Sequence, residues 1–369
     1  MKINNDPKLD FDDVLLVPQR SRAASRKEVK LNRSFSFYHS NRIWKGIPIF
    51  AANMDTTGTV DMSNTLIRYQ MPTCFHKHYS KEQYPDIIWN QDLQWFSMGI
   101  KQDDLDKLIY CCKTNRRIPN ICIDVANGYT DDFVNFCAKV RKELGDEPVI
   151  MAGNVCTPEM VQEIILHGGV DIVKVGIGPG SVCTTRLKTG CGYPQLSAII
   201  ECSHAAHGLK SGKGKLGLVC ADGGCRTPSD ICKAFAAGAD FVMLGGMFAG
   251  TDECDGEWTY EYKCINKNGE WWQSNDPGYA TDRRKVALKF YGMSSKEAMH
   301  KHNGGVSDYK TSEGRCVDVR YKGTTEDTIK DILGGLRSAC TYIGAKSIKD
   351  FGKKTTFIQV NDTHNRTFT

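Results

Sequence analysis

Residues 171–186 read DIVKVGIGPGSVCTTR, and they divide into two parts. The first closes the apolar run Val170–Val175 and has the length and composition of a buried strand. The second is a loop with glycines at Gly176, Gly178 and Gly180 that presents Cys183 among the hydroxyls of Ser181, Thr184 and Thr185. Glycines let such a loop bend tightly and let its backbone approach a ligand. A thiol at the C-terminal end of a strand stands where α/β enzymes keep their chemistry, so Cys183 is a candidate nucleophile. Taken alone, the same residues also suit a structural turn carrying an ordinary free cysteine.

Outward from this stretch, the strand–loop–helix pattern recurs. Short β-rich runs fall at 47–52, 71–75, 94–98, 120–125, 149–152, 171–175, 216–221 and 240–244. Amphipathic segments separate them, near 58–69, 80–90, 103–115, 130–144, 158–168, 195–208 and 228–237. Thr157-Pro158-Glu159 and Thr227-Pro228-Ser229-Asp230 each place a cap residue before a first-turn proline. Eight strands with helical crossovers over about 200 residues predict a closed (β/α)8 TIM barrel. An open doubly wound sheet would carry GxGxxG after its first strand, and that strand runs instead into Ala52-Asn53-Met54-Asp55.

Past the eighth strand, residues 251–290 are polar and dotted with Trp258, Trp271, Trp272 and Tyr279. They read as a flap-like excursion beside the active-site mouth, or as a solvated insertion. A helix over about 325–344 then closes the barrel. The expectation is a single domain over 1–369.

Composition narrows the class of protein. Hydrophobic content of 40% and charge of 25% are those of a soluble globular chain. A net charge of +5 with no basic block argues against nucleic acid. No apolar stretch reaches a membrane span, and the start, MKINNDPKLDFDD, is unlike a signal peptide, so a cytoplasmic protein is expected. The sixteen cysteines are scattered, without CxxC, which predicts reduced, mostly buried thiols. His76/His78, His204/His207 and His300/His302 lack clustered partners at zinc-ligand spacing.

The strand ends hold the polar residues. They are Cys74–His78, Asp124–Gly128, Gly153-Asn154, the cysteine loop, Asp222-Gly223-Gly224-Cys225 and Gly245-Gly246-Met247. Paired glycines after strands seven and eight suggest a barrel phosphate site.

These motifs together resemble the IMP dehydrogenase/GMP reductase family, nearly end to end. The matches are LDFDDVLLVP (9–18), ANMDT (52–56), HKHYS (76–80), DVANGY (124–129), MAGNV (151–155), VGIGPGSVCTTR (175–186), GYPQLSAI (192–199), ADGGCRTP (221–228), FVMLGGMFAG (241–250), FYGMSS (290–295), SEGR (312–315) and DILGGLRSACTYIGA (331–345). The reductase branch is the more similar. Thr184-Thr185-Arg186 follows the cysteine, Gly-Met-Ser-Ser stands at 292–295, and the regulatory insertion typical of dehydrogenases is missing. A dehydrogenase lacking that domain is the alternative within the enzyme class. A catalytically inactive, purine-nucleotide-binding regulatory protein is the alternative outside it.

The resemblance implies NADPH-dependent reductive deamination of GMP to IMP and ammonia, through a thioimidate on Cys183. It implies that Thr185 and Glu313 protonate the leaving amine. GMP would be held by Asp222, Gly223, Gly224, Gly245, Gly246, Tyr291, Gly292, Met293, Ser294, Lys310, Thr311, Ser312 and Gly314. Lys310 departs from the family's usual arginine and offers a point charge in place of a planar fork. The cofactor would meet Ser25, Arg26, Lys77, Asp124, Val125, Ala126, Ile177 and Gly178, with Ser338, Ala339, Cys340 and Thr341 from a neighbouring subunit of a homotetramer. Gly178, Gly180 and Cys183, with Arg186 nearby, resemble a monovalent-cation site suited to K+.

Overall fold

The computed structural model describes residues 3–21, 25–88, 90–115, 117–212, 214–265, 268, 270–274, 282–305, 308–309 and 311–363. Eight parallel strands close into a barrel: β1 (Ile49–Ala51), β2 (Thr73–Cys74), β3 (Gln94–Met98), β4 (Asn120–Asp124), β5 (Ile150–Val155), β6 (Ile172–Val175), β7 (Leu218–Asp222) and β8 (Phe241–Leu244). β8 pairs with β1 through Val242 and Ile49, which completes the ring. The helices α1 (Val60–Ile67), α2 (Tyr84–Ile87), α3 (Gln102–Asn115), α4 (Asp131–Leu144), α5 (Pro158–Leu166), α6 (Thr185–Thr189), α7 (Gln195–Gly208) and α8 (Pro228–Ala236) fill the crossovers. The expected (β/α)8 barrel is therefore the fold.

Strand parity sorts the core. Phe50, Trp95, Cys122, Met151, Ile172, Cys220 and Phe241 form one buried cluster inside the barrel. Their neighbours Ile121, Ile123, Ile150, Ala152, Val173, Val175 and Val219 pack outward with helical residues such as Phe133, Val161 and Ile164. Both faces are covered, which is why these strands read as near-continuous apolar runs. A hairpin, Arg33–Ser36 with Ile43–Gly46, plugs the N-terminal end. The rings of Phe35 and Trp44 lie 4.6 and 5.1 Å from that of Phe241.

The capping signals are partly realised. The Asp230 carboxylate accepts from the amides of Thr227 (3.1 Å) and Arg226 (2.9 Å) at the start of α8. The helix expected over 80–90 shortens to α2. Ser80 and Gln83 instead exchange turn hydrogen bonds at 2.8 and 3.3 Å, and Ile88 turns extended.

The segment after β8 is more ordered than its composition suggests. β9 (Trp258–Ile265), β10 (Trp271–Ser274), β11 (Asp282–Tyr291) and β12 (Cys316–Arg320) form an antiparallel sheet in the order β10-β9-β11-β12. Its inner end is anchored. Leu288 joins the main core, and Phe290 packs with Val182, Ala249, Val317 and Val319. Tyr279, and the middle of the expected flap at 275–281, lie outside the described residues. α9 (Lys296–Asn303) follows, and α10 (Thr325–Tyr342) closes the barrel against α8 and α1. Among the described residues no helix is long and apolar enough to cross a membrane.

Candidate active site

The C-terminal ends of the strands enclose a cavity of about 560 Å³, a size in the range of small-ligand sites. The glycine loop after β6 forms one wall. Gly176 takes φ +152° where a Cβ would lie 2.2 Å from the Asp222 carbonyl oxygen, so only glycine lets the loop pass the end of β7.

A second segment docks on this loop. Cys183 and Gly314 form an antiparallel bridge. The Thr184 amide donates to the Glu313 carbonyl at 2.8 Å, and the Arg315 amide donates to the Val182 carbonyl at 2.9 Å. The Arg315 guanidinium clamps the Ser181 carbonyl at 2.7 and 3.0 Å. These contacts bring Glu313 to Thr185, 128 residues before it in sequence, and to Cys183 on the same loop. The Cys183 thiol donates to Thr185 Oγ1 at 3.2 Å, and the Thr185 hydroxyl donates to Glu313 Oε2 at 2.8 Å. A proton can thus pass between sulfur and carboxylate through one hydroxyl. None of the sixteen cysteines forms a disulfide, and Cys183 is half-buried where Cys74, Cys122 and Cys220 are buried.

The strand ends that line the cavity are ionic. Lys174, on β6, is 2.5 Å from Asp124 Oδ1 and 3.2 Å from Asp222 Oδ2. Asp222 Oδ2 also accepts from Asn154 Nδ2 at 2.8 Å. Burial opposes charge on Asp124, yet Lys174, with Lys77 and Asn53 behind it, holds the carboxyl below the usual range. Burial likewise opposes the Lys174 charge, and Asp124 and Asp222 outweigh it, raising its pKa well above normal.

A third cluster borders the cavity. Asp55 Oδ2 accepts from the Tyr291 hydroxyl (2.8 Å) and Lys301 Nζ (2.9 Å) and pairs with His302 Nε2 (2.8 Å). Burial disfavours the Asp55 charge, but His302, Lys301 and Tyr291 together hold the carboxyl low. The His302 ring stacks on His78 at 3.4 Å. Burial, followed by His302 and Lys77, depresses the His78 pKa to about 3, and burial depresses that of His76 to about 4. Both are neutral imidazoles near pH 7. Among the described residues no three His, Cys, Asp or Glu side chains form a metal-holding group.

The cavity is lined by Lys77, Asp124, Val125, Ala126, Ile177, Gly178, Gly180, Cys183, Thr185, Asp222, Gly223, Gly224, Gly245, Gly246, Gly292, Met293, Ser294 and Glu313. Other expected site residues lie elsewhere. Tyr291 is buried, with its hydroxyl on Asp55. Ser312 donates to the carbonyls of Ser294 (3.4 Å) and Gly314 (3.1 Å), behind the lining. Thr311 neighbours it and is exposed, and Lys310 lies outside the described residues. Ser25 caps a short 3-10 helix, Arg26–Glu28, that packs on α10, the helix carrying Ser338, Ala339, Cys340 and Thr341. Neither group lines the cavity. Arg186 donates to Asp10 (3.2 Å), Ile177 O (3.5 Å) and Tyr193 O, and its own carbonyl accepts from Gly190. Lys174, Asp55 and His302 were not expected at the site, and Asn154 and His78 were noted only as polar residues at strand ends. For Lys174 a signal existed, a charge at an inward position of an otherwise apolar strand.

Fold and site thus define a (β/α)8 protein whose strand ends carry a thiol–hydroxyl–carboxylate chain beside a nucleotide-sized cavity. The model of the IMP dehydrogenase / GMP reductase domain matches residues 96–270 and 273–366, and the chain belongs to that family. It is 50% identical to GMP reductase 1 of Homo sapiens over 374 aligned residues, covering 100% of this chain and 99% of that protein. It is 49% identical to GMP reductases of Escherichia coli O139:H28 and Yersinia enterocolitica over 373 residues, with the same coverage.

Proposed function

We propose that this chain is a GMP reductase that converts GMP, NADPH and two protons into IMP, ammonium and NADP+. The observation that carries the reading is the Cys183–Thr185–Glu313 hydrogen-bond chain inside the cavity of a protein half identical to GMP reductases.

The chain's geometry suggests how protons move. Glu313 takes the thiol proton through Thr185, leaving a thiolate at Cys183 that attacks C2 of the purine. The same proton returns through Thr185 to the 2-amino group, which departs as ammonia and leaves a thioimidate on Sγ. The relay therefore serves two steps and needs no second acid. When bound, the reduced nicotinamide supplies the hydride that C2 requires, after which the sulfur leaves and IMP is free. The backbones of Gly223, Gly224 and Gly246 are open to a phosphate, and Asp222 offers a carboxylate to ribose hydroxyls.

The residues fit a nicotinamide. Asn154 Oδ1 is a buried acceptor without a protein partner, and Asn154 lines the cavity together with Asp124–Ala126, Ile177 and Gly178. Lys77 at the exposed rim, and Ser25-Arg26 beside Ser338–Thr341, would serve the cofactor's charged and distal parts. The carbonyl oxygens of Gly178, Gly180 and Cys183 fit a hard monovalent cation such as K+. Arg186 would act only by holding the loop in shape, since its guanidinium is engaged with Asp10 and the carbonyls of Ile177 and Tyr193. A homotetramer in the cytoplasm completes the proposal.

The test is loss of nicotinamide absorbance with GMP plus NADPH, run beside its gain with IMP plus NAD+. Turnover is expected in the first mixture. Faster turnover in the second would make the chain a dehydrogenase, and binding of GMP without turnover in either would make it a regulatory protein.

A further inference from the structure

Lys174 points into the barrel by strand parity with Ile172 and is 1% exposed. Its ammonium bridges two carboxylates on different strands, Asp124 of β4 and Asp222 of β7. Between Lys174 and Asp124 runs β5, where one residue, Gly153, is the register partner of both. A Cβ at Gly153 would lie 2.5 Å from the Cβ of Lys174 and 2.5 Å from its carbonyl oxygen. The absence of a side chain at 153 thus leaves the lysine room to reach across a strand. Asn154, the next residue, braces the other end by donating to Asp222 and to the Gly176 carbonyl, both at 2.8 Å.

We propose that Lys174 is a positioning residue for the reaction. It ties Asp222, on the nucleotide side, and Asp124, on the cofactor side, to one ammonium, and so sets the two halves of the cavity relative to each other. This rests on the assignment of those two carboxylates to GMP and to the nicotinamide cofactor. The charge count makes the role testable. Lys174 is buried and the two carboxylates are half-buried, and these three groups carry one net negative charge, with Lys77 also acting on Asp124. Without Lys174, two like charges face each other in a partly desolvated layer, and one of them is driven to bind a proton. A protonated Asp222 loses half its acceptor capacity for ribose hydroxyls.

The experiment compares Lys174→Met, Asp124→Asn and the double variant, each checked for folding by circular dichroism. GMP affinity is measured by calorimetry without cofactor, and kcat/KM is measured across pH. Lys174→Met is expected to weaken GMP binding about tenfold or more and to move the acid limb of kcat/KM upward by about one pH unit or more. The double variant restores the single net negative charge. Its acid limb and GMP affinity are expected to return toward wild type while its KM for NADPH stays raised. A purely structural lysine would not give this split. The proposal is overturned if folded Lys174→Met keeps the wild-type limb and affinity, or if the double variant keeps the displaced limb. Should Lys174→Met not fold, the double variant's limb and GMP affinity decide alone. Wild-type turnover of GMP with NADPH is measured first, so failure of the functional reading is seen separately. Whichever nucleotide the wild type turns over is then used for the same comparison.

Discussion

At the N-terminal end of the barrel, inward positions carry Phe50, Trp95 and Phe241, closed off by Phe35 and Trp44. At the C-terminal end, other strands of the same barrel, β4, β6 and β7, carry Asp124, Lys174 and Asp222. One end is dry aromatic packing, with Phe50 and Trp95 edge to face at 5.0 Å. The other is a charged layer under an open cavity. The contrast shows how a barrel separates tasks along its axis. The closed end supplies stability, and the open end can hold half-buried charges at fixed spacing because the packed end holds the strands in place.

The sharpest way to break the comparison is at Cys183. Cys183→Ala is expected to bind GMP and to lose roughly 10⁴-fold or more in kcat, with an unchanged melting temperature. Calorimetry and steady-state rates check it together. Retention of more than a few per cent of activity would remove covalent catalysis from the open end.

Next come Thr185→Ala and Glu313→Gln, each expected to cost about 10²- to 10⁴-fold. Because the relay serves both thiolate formation and amine protonation, the ammonia-releasing step should suffer more than hydride transfer. Hydride transfer is followed separately as single-turnover formation of NADPH from IMP and NADP+ without ammonia. Equal losses in the two steps would reduce the pair to a structural contact.

At the closed end, Phe241→Ala should cost about 3–5 kcal/mol of stability and leave kcat of the folded enzyme near wild type. Urea melts beside rate measurements test this. A large kcat loss at full foldedness would show that the two ends are not separable.

The smallest expected effect is the acid response of Asp55. Its folded-state pKa is depressed by His302, Lys301 and Tyr291 against the cost of burial. The stabilisation is therefore fully present above the unfolded value of 3.8 and is lost as pH falls through the lower folded value. The gap in melting temperature between wild type and Asp55→Asn should shrink as pH is lowered below about 4. A gap constant across that range would show that the cluster contributes no charge-dependent stability.

Much of the fold was legible because its signal is local. Parallel strands buried on both faces must be apolar along their length, and all eight runs became barrel strands. The glycine loop was equally legible, since tight turns restrict residue type. The sheet after β8 was less so. Its strands Trp258–Ile265 and Asp282–Tyr291 are mostly half-buried and rich in charged residues, and their order comes from pairing with each other and, through β11, with β12, beyond the expected boundary at 290.

By itself the chain determined the barrel, the cysteine loop and the family, because each is written in contiguous residues whose types are forced by burial, turn geometry or close backbone approach. Only the tertiary structure decided which distant side chains meet. Glu313 reaches Thr185 because residues 312–315 pair with the loop, and Tyr291 turns to Asp55 rather than the cavity. Lys174 finds both carboxylates because closing the ring brings β4, β6 and β7 to one layer. Such contacts depend on strand register and chain closure, which are properties of the whole barrel and not of any one segment.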